Sequence, residues 1–163
     1  MLPINSMWKL VLPVSILSAT VLFAADPAGF VVWKSSDLKA LEKPLAAKMK
    51  GAPSVNQELG QYGNHRTLVN HREGKGEVEV HADWNDMFVV QTGEAELLIG
   101  GKVINGKTTG PGEIRGTASE GAEKKMIAAG DIVHVPPGVP HQFIVAPGKQ
   151  ITYFAVKIPG EKK

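Results

Sequence analysis

The sequence has no cysteine among its 163 residues. This absence excludes disulfide bonds, thiolate metal ligands, a cysteine nucleophile and a lipid-modified cysteine. The chain also lacks a large excess of charge of either sign, because 18 basic residues nearly balance 16 acidic ones and leave a formal net charge of +2. Nucleic-acid binding needs clustered basic residues on one face, so no nucleic-acid partner is predicted. The G-x-S-x-G motif is missing too, which gives no support to acyl transfer by a serine nucleophile.

Glycine and proline, in contrast, are abundant, with 18 and 11 residues. Both suit turns and interrupt helices, so the composition favours a turn-rich β protein over a helical bundle. Hydrophobic residues make up 43% of the chain. This proportion is typical of a globular protein, and the length suits one ordinary domain.

The N-terminal segment differs in composition from the rest of the chain. A basic residue is followed by an uncharged run over residues 10–25, which contains a proline and ends in small residues. This pattern is typical of a secretory signal peptide, with cleavage after Ala24 or, alternatively, after Ala25. An uncleaved membrane anchor is the other interpretation, but spanning a bilayer takes about 20 apolar residues. We therefore predict a signal peptide over residues 1–24 and an exported protein, periplasmic or extracellular, without a stable membrane anchor.

Residues 25–63 are predicted to form an N-terminal extension that ends in a connector. Gly29–Trp33 (GFVVW) suits a short strand, and the glycine- and proline-bearing residues 51–63 suit a connector. Between them, four apolar residues at three- or four-residue spacing predict one amphipathic helix interrupted at Pro44. These residues are Leu38, Leu41, Leu45 and Met49.

From Asn64 onward the periodicity becomes strand-like. The segments predicted as strands are 67–71, 77–81, 87–91, 94–99, 102–104, 124–128, 132–135, 142–146 and 151–158. Gly100-Gly101 predicts a β-hairpin between two of them. Residues 105–121 are polar and glycine-rich, which predicts a loop long enough to act as a lid. The number and spacing of the strands favour an all-β sandwich or barrel.

Two segments carry histidines, acids and glycines at a characteristic spacing. In the first, Glu79-Val80-His81 is followed after four residues by Asp86 and after six more by Gly93; in the second, Gly130 is followed after five residues by Pro136-Pro137-Gly138-Val139-Pro140-His141. They resemble the cupin motifs H-x-H-x(3–4)-E-x(6)-G and G-x(5)-P-x-G-x(2)-H-x(3)-N. The resemblance covers residues 64–158. It implies that residues 64–163 form a double-stranded β-helix, or jelly-roll, barrel of the small single-domain cupin type, behind a short helical extension.

The departures from the cupin motifs fall on the residues that carry the chemistry. Glu79 stands in place of the first histidine, Asp86 in place of the glutamate, and Val145 in place of the final asparagine. His81 and His141 alone match the imidazoles that the family uses as ligands. The resemblance thus implies a metal site of Glu79, His81, Asp86 and His141. Two imidazoles and two carboxylates suit Zn, Mn, Fe, Ni or Cu.

Alternation by itself predicts the opposite orientation for the first motif. Glu79 and His81 share one face of a strand, and Val78 and Val80 share the other. By hydrophobicity the valines would face the core and the polar row would face solvent. The cupin resemblance instead implies that the Glu79/His81 face lines the barrel cavity, where a polar row is favourable if it binds something.

Each candidate ligand also has an alternative role. His141 could be a hydrogen-bonded core histidine, and Asp86 could cap a turn. Glu79 could be a general base, which makes it the candidate catalytic residue, or a buried acid without a metal.

Four further residues are weaker candidates. His71 could face the cavity or form a surface pair with Arg72, whereas His134 is predicted to lie outside the barrel. Trp84 is predicted at the cavity mouth, where it could cover a ligand. Arg115, in the predicted loop, could pair with a substrate carboxylate or be solvated.

Three functions agree with these features. The first is a metal-dependent oxygenase, isomerase or lyase that acts on a small oxygenated molecule. The second is a non-catalytic cupin that binds a sugar or an organic acid without a metal, and the third is a structural role in a larger envelope assembly. A homodimer is also expected, because the apolar segment at Gly29–Trp33 could serve as an edge or swapped strand.

Overall fold

The structure, a computed structural model, describes residues 26–160. The predicted signal peptide at residues 1–24 lies outside the described residues. Residues 26–30 belong to a separate short unit, in which the Phe30 amide donates a hydrogen bond to the Pro27 carbonyl (3.0 Å). Residues 31–160 belong to the compact unit described below. Among the described residues, no helix is long and apolar enough to cross a membrane.

Two short helices precede a series of strands. The helices are α1 (Ser35–Ala40) and α2 (Glu42–Ala46). The first six strands are β1 (Ser54–Tyr62), β2 (His65–Arg72), β3 (Val78–His81), β4 (Trp84–Ile99), β5 (Lys102–Ile104) and β6 (Lys107–Gly110). The remaining six are β7 (Glu113–Gly116), β8 (Ala118–Glu120), β9 (Glu123–Ala128), β10 (Ile132–Val135), β11 (His141–Ile144) and β12 (Ile151–Pro159).

The strands form two antiparallel sheets that share the long strand β4. One sheet has the order β1-β2-β12-β4-β10. The other has the order β9-β4-β11-β3-β7-β6, and β5 pairs with β8 beside it. Strands distant in sequence thus alternate with one another, as in a double-stranded β-helix. This architecture confirms the predicted all-β barrel with a short helical extension.

Gly93, the last residue of the first motif, lies where β4 passes from one sheet to the other. Its φ is +75°, in the left-handed region that favours glycine. A Cβ at this position would also overlap the backbone carbonyl of Gln150. Gly93 is therefore required both for the backbone conformation and for the close approach of the segment that leads into β12.

Two apolar clusters stabilise the unit. The larger one lies between the sheets, where the rings of Phe143 and Tyr153 stack with centroids 4.8 Å apart. The smaller one joins the helices to the outer face of the first sheet through Leu38, Leu45 and Val69. Three of the four predicted helix residues, Leu38, Leu45 and Met49, are buried, and Leu41 is partly buried. The two helices thus cover part of the outer face of this sheet.

The predicted single helix is two helices, and the break lies at Leu41 rather than at Pro44. Pro44 lies in the first turn of α2, where a missing amide hydrogen costs little. The predicted strand at Gly29–Trp33 is also wrong, because these residues pair with no strand in the described part of the chain. Val31 and Val32 are instead exposed.

Three further assignments need correction. The predicted connector at 51–63 contains β1, which extends the first sheet. The glycine pair at Gly100-Gly101 makes no hairpin between β4 and β5, since β5 pairs with β8. The predicted lid at 105–121 contains β6, β7 and β8. Its polar residues suggested a loop, but β7 pairs with β3 and needs polar side chains because it lines a polar cavity.

Candidate metal and ligand site in the barrel

A cavity of about 510 Å³ lies between the two sheets. Many of its lining residues are charged or are histidines. The acidic ones include Glu77, Glu79, Asp86 and Glu113, the basic ones are Arg66, Arg72, Arg115 and Lys157, and the histidines are His81 and His141. All four residues of the predicted metal site thus line one cavity, and the polar face of β3 points inward as the cupin resemblance implied. Alternation alone gave the wrong orientation, because the valines of β3 are buried as well.

The two histidines present the same ring atom to the cavity. The Nδ1 atom of His81 donates to Glu113 Oε2 (2.6 Å), and the Nδ1 atom of His141 donates to the Val139 carbonyl (3.2 Å). A carboxylate and a carbonyl can only accept, so each Nδ1 carries a proton. The Nε2 atom of each ring is therefore the one available to a further partner.

Glu79 lies between two guanidinium groups. Its Oε1 accepts a hydrogen bond from Arg72 Nη2 (2.7 Å), and its Oε2 lies 2.8 Å from Arg115 Nη1 and 3.5 Å from His81 Nε2. Burial by itself would raise the pKa of Glu79, but contact with His81 and the two guanidinium groups hold it well below its usual range. Glu79 is therefore an ionised carboxylate at neutral pH.

Asp86 lies against both histidines. Its Oδ2 atom is 3.2 Å from His81 Nε2 and 3.6 Å from His141 Nε2, and its Oδ1 accepts a hydrogen bond from Lys157 (2.7 Å). Burial opposes ionisation, but His81 and Lys157 together lower the pKa of Asp86. One oxygen of Asp86 is thus held by a lysine while the other faces the two imidazoles.

The electrostatics of the site favour a cation near His81 Nε2. This atom is buried, and within residues 26–160 it has no aligned hydrogen-bond partner. Burial would lower the pKa of His81, but Asp86 and Glu79 raise it to about 9. His141 differs, because burial lowers its pKa and keeps the ring neutral. The carboxylates that stabilise a proton on His81 would also stabilise a metal ion in its place.

Three of the predicted ligands are close enough to share one ion. Ligand atoms of Glu79, His81 and His141 lie within 4.8 Å of one another. Two imidazole nitrogens and a carboxylate oxygen form a donor set suited to first-row divalent metals. The residues therefore fit a metal ion, with Asp86 beside the group and tied to Lys157.

Comparison with solved structures supports the same fold assignment. An uncharacterized conserved protein with a double-stranded beta-helix domain from Klebsiella pneumoniae aligns with a TM-score of 0.51 and 20% identity, over 70% of this chain and 84% of that one. The protein TT1209 from Thermus thermophilus aligns with a TM-score of 0.52 and 17% identity, over 73% and 94%. The chain has the cupin fold. Likeness at these identities concerns the fold alone.

The DMSP lyase DddQ from Ruegeria pomeroyi DSS-3 is a further solved structure that aligns with this chain. It aligns with a TM-score of 0.49 and 16% identity, over 67% of this chain. The chain spans 48% of the length of that lyase. Comparison of the sequence with family models and with curated proteins gives no match.

The weaker candidates lie in different places. His71 faces away from the cupin cavity and is buried, with its ring nitrogens 2.8 Å from Thr152 Oγ1 and 3.0 Å from Glu73 Oε1. Both alternatives predicted for it are therefore wrong. His134 is exposed on the outside, as predicted. Trp84 does not line the cavity; it lies beneath the guanidinium of Arg66, 6.0 Å from the ring centroid.

Sequence reasoning missed two residues that stabilise the site, Glu113 and Lys157, and it placed Arg72 in a surface pair, whereas Arg72 is buried beside Glu79. Arg115 was considered, but in a loop rather than on β7. A signal for the pair on β7 was present, since Glu113 and Arg115 are charged residues two apart and so share a strand face. Such a signal is recognisable only once the segment is known to be a strand.

Proposed function

We propose that this cupin-fold protein binds one divalent metal ion per chain through Glu79, His81 and His141, with Asp86 completing the site. The observation that carries the proposal is the buried Nε2 atom of His81, which lacks an aligned partner within residues 26–160 and lies beside two carboxylates and a neutral imidazole. Zn, Mn, Fe, Ni and Cu all suit this donor set. We further propose that the cavity binds a small oxygenated molecule next to the ion.

When bound, the metal would supply Lewis-acid polarisation of a substrate oxygen for isomerase or lyase chemistry, or activation of O₂ for oxygenase chemistry. The chain itself supplies the orientation of the ligands. Glu113 holds the His81 ring, and Lys157 holds Asp86. Phe143 and Tyr153, which also line the cavity, are buried and stack on each other.

Glu79 fits the role of ligand better than the role of general base. A general base works best when its pKa lies near the working pH. The guanidinium groups of Arg72 and Arg115 hold the pKa of Glu79 well below its usual range, so it is a weak base. A low pKa does not weaken it as an anionic ligand in the same way, because a metal binds the ionised form.

The metal proposal is tested by elemental analysis of untagged protein purified without chelator. Titration of chelator-treated protein with Zn²⁺, Mn²⁺ and Ni²⁺, followed by thermal unfolding, then measures affinity. At a hundredfold excess over Kd, we expect stabilisation of about 2.7 kcal/mol. His81→Ala and His141→Ala should each abolish it. His134→Ala is the matched control, since His134 is exposed and contacts Asn85. Metal binding by both site variants at wild-type affinity would place the site elsewhere.

A metal-free binding protein for a sugar or an organic acid is the second candidate function. The observation in its favour is that the charged residues already neutralise one another, since Glu79 pairs with Arg72 and Arg115, and Asp86 with Lys157. If this candidate is correct, a small ligand should raise the melting temperature of chelator-treated protein while metal ions have no effect.

Export and dimerisation belong to the proposal as well. Export follows from the uncharged run over residues 10–25. The exposed apolar residues Val31 and Val32 favour a homodimer, although they form no edge strand within the described part of the chain.

A further inference from the structure

The basic residues of the cavity differ in how fully their donors are used. Arg72 donates from Nε to Tyr153 and from Nη2 to Glu79, and its guanidinium lies 4.8 Å from the centroid of the Phe143 ring. Lys157 is nearly buried and donates to Asp86. Both cations therefore already donate hydrogen bonds to residues of the site.

Arg115 is different, because its ion pair with Glu79 is not an aligned hydrogen bond and its contact with Glu113 is long. Its Nη1 lies 2.8 Å from Glu79 Oε2, but the N–H is not aligned on that oxygen, and within residues 26–160 this buried atom makes no hydrogen bond. Its Nη2 lies 3.5 Å from Glu113 Oε2. A buried donor without an aligned acceptor costs free energy, which an incoming acceptor would recover.

The position of Arg115 places this donor beside the metal ligands. Its partner Glu79 Oε2 is also 3.5 Å from His81 Nε2, and the Arg115 side chain is 29% exposed, more than the 19% of Glu79. A ligand that enters the cavity therefore meets the partly exposed Arg115 side chain beside the metal ligands. A metal ion coordinated by Glu79 would also weaken the ion pair between Glu79 and Arg115.

We propose that Arg115 binds the carboxylate of a small organic acid, which is the substrate or ligand of the cavity. This inference rests on the proposed function and specifies its ligand class. The planar guanidinium matches a carboxylate with two parallel hydrogen bonds. A phosphate dianion fits less well, because it carries both charges on the one group that would meet Arg115, where Glu79 and Glu113 would repel the second charge. The cavity volume of about 510 Å³ lies in the range of small-molecule sites.

The test is a calorimetric titration of the protein with lactate, malonate and succinate. The neutral lactamide, malonamide and succinamide serve as matched ligands, and inorganic phosphate is the competing anion. Each titration is run on chelator-treated protein and on protein loaded with whichever ion it binds in the metal titration. We expect at least one carboxylate to bind while its amide and phosphate do not. Equal binding of acid and amide, preference for phosphate, or no binding of any acid would overturn the inference.

Arg115→Gln should weaken binding of that carboxylate by about tenfold or more, since a hydrogen bond to a charged group is lost. Lys124→Gln removes an equal charge from an exposed site on β9 and should leave affinity unchanged. Arg115→Lys keeps the charge without the planar guanidinium and should give an intermediate affinity. If Arg115→Gln folds poorly, the affinity of this lysine variant still tests the inference. Wild-type carboxylate affinity in both Arg115 variants would overturn the inference.

Metal affinity of the same variants separates this inference from the proposed function. Arg115→Gln should bind metal at least as tightly as wild type, because Arg115 then no longer competes with the metal ion for the Glu79 carboxylate. If wild type binds metal and no carboxylate, the inference fails and the metal site stands. If wild type binds a carboxylate through Arg115 and no metal, the metal proposal fails and the inference stands.

Discussion

The Nδ1 atom of His81 lies 2.6 Å from the Oε2 atom of Glu113, the residue directly opposite it on the neighbouring strand. Residues opposite each other in an antiparallel pair project from the same face of the sheet. The register between β3 and β7 therefore places the carboxylate where it fixes the imidazole. The ring then has one orientation, with Nε2 toward Asp86 and Glu79.

Removal of Glu113 should weaken metal binding without removing a ligand. Carboxylates that orient a metal-ligating histidine typically contribute about 10- to 100-fold in affinity. We expect a loss of this size for Glu113→Ala and a smaller one for Glu113→Gln, whose amide oxygen can still accept from Nδ1. Calorimetric metal titration provides the measurement, and Glu123→Ala is the control because Glu123 is exposed on β9. An unchanged affinity in Glu113→Ala would show that Glu113 does not position His81.

Substitution of Glu79 separates its two candidate roles. Glu79→Gln should lower metal affinity if the carboxylate is a ligand, and should leave it unchanged if Glu79 is only a base. The same change leaves the buried Arg72 without its anionic partner, so the metal-free protein should lose about 3 kcal/mol or more of stability. Glu77→Gln is the matched control, since Glu77 also lines the cavity but is exposed.

The fold was predictable because its signals are local. The strand pattern and the two cupin motifs predict the barrel, and Gly93 is required at the bend of β4 whatever the protein does. Placement of His81 and His141 in one cavity followed from the resemblance. It did not follow from alternation, because Val78 and Val80 are buried too and both faces of β3 therefore avoid solvent.

The partners of the site were not predictable, because they depend on strand register. Arg72 reaches Glu79 from the adjoining sheet, and Lys157 reaches Asp86 through the pairing of β12 with β4. Glu113 and Arg115 lie in a segment whose polarity resembles that of a loop. Its polarity instead reflects a strand that lines a charged cavity.

The signal-peptide prediction is checked by the mass of the exported protein. Expression with the native N-terminus should give mature protein that begins at Ala25 or Asp26, because signal peptidase cleaves after small residues. Intact-mass measurement of the exported fraction provides the readout. Retention of residues 1–24 in that fraction would contradict the prediction and favour an anchor.

The dimer prediction is checked by light scattering at micromolar concentration. We expect the mass of two chains for the mature protein. Val31→Ser with Val32→Ser should shift the mass toward one chain, since these side chains are 46% and 63% exposed in the single chain. Met126→Ser is the control, because Met126 is an apolar residue on β9 that is at least as exposed as the two valines. A monomer mass that does not change when residues 25–34 are deleted would contradict the prediction.

Ionisation of the buried Tyr153 hydroxyl should destabilise the folded protein at alkaline pH. Burial raises the pKa of Tyr153 to about 12, against the partly opposing charge of Arg72. In the unfolded chain the phenol ionises near pH 10. Stability from the protonated phenol is therefore complete below pH 10 and is lost as the pH rises toward about 12, up to about 3 kcal/mol.

The titration of Tyr153 can be followed directly, because the chain has two tyrosines and Tyr62→Phe leaves Tyr153 alone. Tyrosinate absorbance of this variant should rise with a midpoint near 12 while circular dichroism still reports folded protein. Tyr153→Phe should remove the loss of stability between pH 10 and 12, at the cost of the hydrogen bond from Arg72 at lower pH. A midpoint near 10 in folded protein would show that the hydroxyl is open to solvent, and the burial assigned to Tyr153 would then be wrong.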